Sequence, residues 1–263
     1  MVGRRRSQIG TIVDRFIQDR WVQLGVVVAG LASLALLVFG VARWVAGKDS
    51  DSSARSVEGD VAQPGAPAEG GYGPTRTTLS GTEDHVGFLD GPHFNSIVST
   101  SVYGNELAFL DAKRSSDSAP GAYQDRVLGA EGRYRIRAYI VNDASDQMNS
   151  TGKGQARNTR IRFELPDGIA NGFTIQARVT ADNAIPREIY DQVTLANDGQ
   201  SFDLDYAGGS ARLYNRAHPG GLELGDGIVD EGVLIGFDQM DGLFPAGDPF
   251  SAFVVIEVDL VRT

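Results

Sequence analysis

The side chains in this 263-residue sequence that could do chemistry are carboxylates, arginines and three histidines. The absence of cysteine excludes a disulfide framework and thiolate metal sites. Asp226, Asp230 and Glu231, then Asp238 and Asp241, place carboxylates in turns, the oxygen-rich setting that calcium prefers, with Asp143 and Asp146 as a similar pair upstream. Their spacing follows no regular calcium loop, and the competing reading is that each aspartate caps its own turn. Arg133, Arg135 and Arg137 alternate along one stretch, and Arg160 and Arg162 along another. On neighbouring strands they would line one exposed face able to grip an anionic envelope polymer through bidentate contacts, whereas the plainer reading is a solvated face laced to Glu164 and nearby acids.

No catalytic or cofactor-binding residue emerges. His85, His93 and His218 lie far apart, so a metal triad or a Ser-His-Asp site would have to be assembled from remote loops, and each reads as a solvated loop residue. Gly208-Gly209-Ser210-Ala211-Arg212 lacks the closing glycine of a nucleophile elbow, and Gly152-Lys153-Gly154 lacks the spacing and hydroxyl of a phosphate loop. A Lys–Asn isopeptide crosslink needs a buried lysine beside a carboxyl group, and Lys113 and Lys153 both sit in loop-like stretches.

The elements that would carry these residues have a period of two. In 133–141, Tyr134, Ile136, Ala138 and Ile140 face one way and the arginines and Tyr139 the other, which predicts a half-buried strand. The same alternation appears in 160–165, 173–181 and 252–260, with further strands expected at 107–111, 125–128, 189–195, 201–205, 210–214 and 232–237. Turn signals such as Pro166-Asp167-Gly168, Asn197-Asp198-Gly199 and Asp241-Gly242 separate them, and short strands with regular turns predict an all-β, immunoglobulin-like antiparallel sandwich.

Upstream, the nineteen residues Leu24 to Ala42 carry no charge and would span about 28 Å as a helix, close to the thickness of a bilayer core. Trp21 and Trp44 bracket the run. Arg4, Arg5, Arg6, Arg15 and Arg20 precede it, which predicts a single-pass signal anchor with a cytoplasmic N-terminus. Ile9, Ile12, Val13, Phe16 and Ile17 give the arm an amphipathic face for the membrane surface. From Gly47 to Asp84 the chain is rich in Ser, Gly, Pro and Asp and cannot bury enough apolar surface to stay ordered, so it reads as a tether. Taking the residues before Trp44 from totals of 34 acids and 24 bases leaves 32 acids against 18 bases, which argues against nucleic acid as a partner.

The strings RYRIRAYIVNDASDQMN (133–149), ARNTRIRFELPDGI (156–169), VTADNAIPREIYDQVTL (179–195), FDLDYAGGSARLYNRAHPGG (202–221) and GVLIGFDQMDGLFPAGDPFSAFVVIEV (232–258) resemble, in order, an uncharacterised actinobacterial family of membrane-anchored or secreted surface proteins with an immunoglobulin-like domain. The resemblance covers about residues 85–263 and implies a fold and a place, with no activity. Where that family has a Pro-Gly-Cys turn before the last strand, this chain has Pro245-Ala246-Gly247, so any disulfide of the relatives is lost. The expected organisation is a cytoplasmic arm (1–21), a plasma-membrane helix (22–46), a flexible stalk (47–84) and an extracytoplasmic sandwich (85–263). The expected role is a non-enzymatic binding, adhesion or envelope-structural module whose partner is an envelope polymer or another surface protein. The alternative is an envelope hydrolase or transferase with a site built from loops.

Overall fold

The structure, a computed structural model, describes residues 71–79, 89–100, 103–119, 122–197 and 199–263. The arm, the apolar run and the tether up to residue 70 lie outside the described residues. Among the described residues no helix is long and apolar enough to cross a membrane.

The described residues are all-β, with short 3-10 turns at Asp146–Thr151, Asp226–Val229 and Asp248–Phe250. The strands are β1 (Leu110–Arg114), β2 (Arg126–Gly129), β3 (Gly132–Ile140), β4 (Arg160–Glu164), β5 (Gly172–Thr180), β6 (Glu188–Asn197), β7 (Phe202–Tyr206), β8 (Arg212–Asn215), β9 (Leu222–Glu223), β10 (Val233–Leu234) and β11 (Ala252–Arg262). One sheet runs β1-β3-β11-β8-β9, with β7 also on β11, and the other runs β10-β4-β5-β6-β2. Every pairing is antiparallel except β2 on β6.

The alternating stretches fold as their pattern dictates. Ile161 and Phe163 of β4, Ile175, Ala177 and Val179 of β5, and Ala252, Val254, Ile256 and Val258 of β11 are all buried, and they join Tyr134, Ile136 and Ile140 of β3 in one core. The longest strand, β11, is paired along both edges: β3 takes one from Ala252 to Leu260, while β8 and then β7 take the other. Where β8 ends and β7 has not begun, the 207–210 turn fills in, with Ala207 N donating to Glu257 O and Glu257 N to Ser210 Oγ. Two expected strands are shorter or displaced. Leu107–Asp111 becomes β1 from Leu110 to Arg114, and Gly232–Phe237 reduces to Val233–Leu234.

The expectation of a half-buried β3 is corrected. Arg135, Arg137 and Tyr139, on the face opposite the core, are 7%, 8% and 1% exposed, because Tyr103 and Tyr123 from the flanking loops lie over them. Residues 71–79, assigned to the tether by composition, are paired with the sandwich: Gly73 bridges Tyr190 of β6, and Leu79 bridges Ile97.

Phe163→Ala removes a fully buried ring and is expected to cost about 3–5 kcal/mol. Leu128→Ala, at a side chain 79% exposed on β2, should stay within about 0.5 kcal/mol. Urea denaturation of both variants checks the assignment of inside and outside.

Candidate functional site

The concentration of buried ionisable groups lies where residues 71–79, 89–100 and 103–109 pack against the end of β3 and the middle of β6. Asp143 lies three residues beyond the end of β3, and its N–H donates to His93 O at 2.7 Å. Its Oδ2 accepts the backbone N–H of Ser96. Glu106 Oε2 accepts the N–H of the next residue, Ile97, at 3.2 Å. Both acids are almost completely buried. Their other oxygens, Glu106 Oε1 and Asp143 Oδ1, have no partner among the described residues, and the two side chains interact, so that a proton on Glu106 supplies a donor toward Asp143. Burial, and then the charge of Asp143, pushes Glu106 up to about 10, so Glu106 is the group that keeps the proton at neutral pH. Asp143 itself rises to about 7 through burial, opposed by the Ser96 amide and by Glu106.

A third acid, Asp191 of β6, points into the interior and ties the two sheets together. Its Oδ2 accepts from Leu110 N of β1 at 2.7 Å and its Oδ1 from Gln192 N at 2.8 Å, and burial raises it to about 7. Arg76 supplies the positive charge. It donates to Asn95 O at 2.8 and 3.3 Å, and burial lowers it to about 10 against the attraction of Asp143, Asp191 and Glu106. Two asparagines complete the arrangement. Asn95, at φ +48°, uses its amide to hold Tyr139 O and Val141 N, and Asn142 holds His93 N, Ala144 N, Gly154 O and Phe244 O. These contacts join four stretches of backbone. The chemistry available here is retention of a proton in an enclosed site and fixation of loops.

A second network covers the outer face of β3. Successive arginines meet acids on the neighbouring strands: Arg133 is bidentate to Asp259 at 2.8 and 2.7 Å, Arg135 meets Glu257 at 2.9 Å, and Arg137 grips Asp111 through both nitrogens of one edge. Exposure falls along the row, from a side chain half exposed at Arg133 to 9% at Arg137. The Arg137 guanidinium lies 3.8 Å from the centre of the Tyr123 ring and 5.0 Å from that of Phe253, so its charge is screened by π faces rather than by water. Burial pushes Asp111 up in spite of this partner.

The structure does not bring the two arginine rows together. Arg160 and Arg162 lie on β4, in the opposite sheet from Arg133, Arg135 and Arg137, with Arg162 3.9 Å from Glu164. Glu164 is gripped more closely by Arg178, at 2.8 Å. The calcium candidates are likewise separate. Asp226 Oδ1 accepts from Tyr206 Oη and Gly209 N, Asp241 Oδ1 accepts from Leu243 N, the Asp238 carbonyl holds His218 Nε2, and Asp230 and Glu231 are exposed. Among the described residues no three acids or histidines converge on a metal position. His93 is buried with Nδ1 on Gly91 O, a correction to the solvated-loop reading, while His85 lies outside the described residues. Lys113 is buried, a correction to the loop-like reading, with its Nζ donating to Asp117 O and lying over Tyr123.

Sequence reasoning missed Glu106, Asp191 and Arg76. For Glu106 a signal exists: it stands immediately before Leu107-Ala108-Phe109-Leu110, an apolar run that carries it inside. Comparison with family models, curated proteins and solved structures finds no match to this chain.

Glu106, Asp143 and Asp191 all bind protons more tightly folded than unfolded, their ordinary values being 4.5, 3.8 and 3.8. The stabilisation is therefore complete below about pH 4 and is lost as pH rises through about 7 and then about 10. Thermal unfolding between pH 5 and 10 should show a melting temperature that falls as pH rises, and Glu106→Gln should flatten the alkaline part. In the outer network, Arg137→Met leaves Asp111 buried without its partner and should cost about 3–5 kcal/mol. Arg133→Met, at an exposed pair, should cost no more than about 1 kcal/mol in the same urea titration.

Proposed function

We propose that the chain is a membrane-anchored surface protein presenting an immunoglobulin-like β-sandwich outside the cell, in a binding, adhesion or envelope-structural role. The observation that carries this reading is the uncharged run from Leu24 to Ala42, preceded by five arginines and followed by a polar tether and an acidic β-rich remainder. Two facing sheets over one core, with the chain crossing from one sheet to the other after β3 and again after β6, support the immunoglobulin-like part. The strand order has its own character: β11 lies in the middle of its sheet, where immunoglobulin order puts the last strand at an edge.

The charge distribution favours a partner-binding or structural role over the loop-built hydrolase or transferase. A hydrolase or transferase that used Glu106 and Asp143 would need them open to substrate, and that pair is enclosed among backbone donors. The partners this reading implies are the plasma membrane and an envelope polymer or second surface protein, with no cofactor required.

Protease added to intact cells should cut between residues 47 and 70 and release one β-rich fragment that retains Gly71–Leu79, identified by its N-terminal mass. Protection of the sandwich until the membrane is permeabilised would overturn both the orientation and the surface role.

A further inference from the structure

Residues 71–79 are docked on the sandwich through a specific fit. Gly73 and Tyr190 exchange both backbone hydrogen bonds, at 2.9 and 2.7 Å, and Leu79 pairs with Ser96 and Val98 at 2.9 and 3.0 Å. A Cβ on Gly73 would stand 2.4 Å from the Tyr190 hydroxyl, so the tyrosine ring occupies the space a side chain would need. Gly71 has a φ of +78° and packs against Gln192. Between these contacts Arg76 reaches Asn95 O and is drawn toward Asp143, Asp191 and Glu106. The segment thus adds backbone bonds to the edge of β6 and carries a cation over an acidic floor, which is how an extended peptide recognises a sheet edge.

We propose that the groove filled by residues 71–79 is a peptide-docking site, and that its occupant in trans is the same segment of a second copy of the chain, so that neighbouring copies exchange these straps. Each contact made within one chain is reproduced between two, so exchange gives up no interaction. The balance is set by effective concentration. Nine residues, 80–88, join Leu79 to Leu89, a length of chain that spans at most about 30 Å when fully extended. The high local concentration of neighbours rests on the proposed membrane anchoring, whereas the docking chemistry does not.

The chain has no cysteine, so two introduced thiols report on one contact. Residues that exchange both backbone bonds have Cα atoms about 5.5 Å apart, within reach of a disulfide. Full-length Gly73→Cys/Tyr190→Ala and Tyr190→Cys chains, carrying different tags, are co-expressed and oxidised in cells, the Tyr190→Ala change making room for the new Cβ in the first chain's own groove. Exchange predicts a disulfide-linked heterodimer about tenfold more abundant than that from the same Gly73→Cys/Tyr190→Ala chain with Ser150→Cys, an exposed control site. Gly71→Cys with Gln192→Cys is the second pair, in case loss of the Tyr190 ring loosens the strap, and a heterodimer from it alone also supports exchange. If both pairs stay at the control level, the proposal is overturned, whether or not the double variant Gly73→Cys/Tyr190→Cys closes within one chain. Because the crosslink is read independently of protease access, a domain that proves to face the cytoplasm leaves this result standing.

Discussion

The backbone amides of Ser96 and Ile97 point into two carboxyl groups that have almost no access to water, and the placement of the loop ahead of β1 against the end of β3 depends on that contact. A buried carboxylate without donors is too costly to keep, and one with a single donor is still short of its needs. A proton retained on Glu106 removes one charge and supplies a donor toward Asp143 at the same time. It also requires the loop carrying Ser96 and Ile97, the approach to β1 and the end of β3 to arrive together. Arg76 then has a reason to lie where it does, since the residual negative charge under it offsets part of its own desolvation.

The outer face of β3 meets the same difficulty by another route. There the acids and bases are on adjacent strands at matching register, so antiparallel pairing itself sets Arg133 against Asp259 and Arg135 against Glu257. Aromatic rings rather than backbone donors close the deeper end, where Tyr103 stacks on Tyr139 at 4.4 Å and Tyr123 covers Arg137. An interior proton and a cross-strand ion ladder are different solutions, yet each fixes a loop to β3.

The inward faces of β4, β5 and β11 were legible because alternation is local and each buried residue is apolar. The outward face of β3 was not, since what covers it comes from residues 103 and 123, and a run of arginines reads as solvent-facing unless the covering rings are known. The division of the arginines between sheets was equally hidden, because pairing is a long-range property that Arg133–Arg137 and Arg160–Arg162 do not encode in their own spacing. Gly71-Tyr72-Gly73-Pro74 misled for a different reason. Glycine is abundant in unstructured linkers and is also demanded where two backbones approach closely, and composition does not separate these causes. Glu106 and Asp191 had no motif at all, only an apolar neighbourhood.

The central position of β11 bears on the order in which the chain can fold. The β4, β5 and β6 meander is built from neighbours in sequence and can assemble as soon as it is made. The other sheet cannot, because β3 waits for a partner 112 to 128 residues further on, and β7 and β8 share that same missing strand. Until the eleven residues of β11 are available, β3, β7 and β8 carry open hydrogen-bonding edges with nothing between them. Completion of that sheet is consequently tied to β11, and loss of the last residues of β11 forfeits β7 before it forfeits β8.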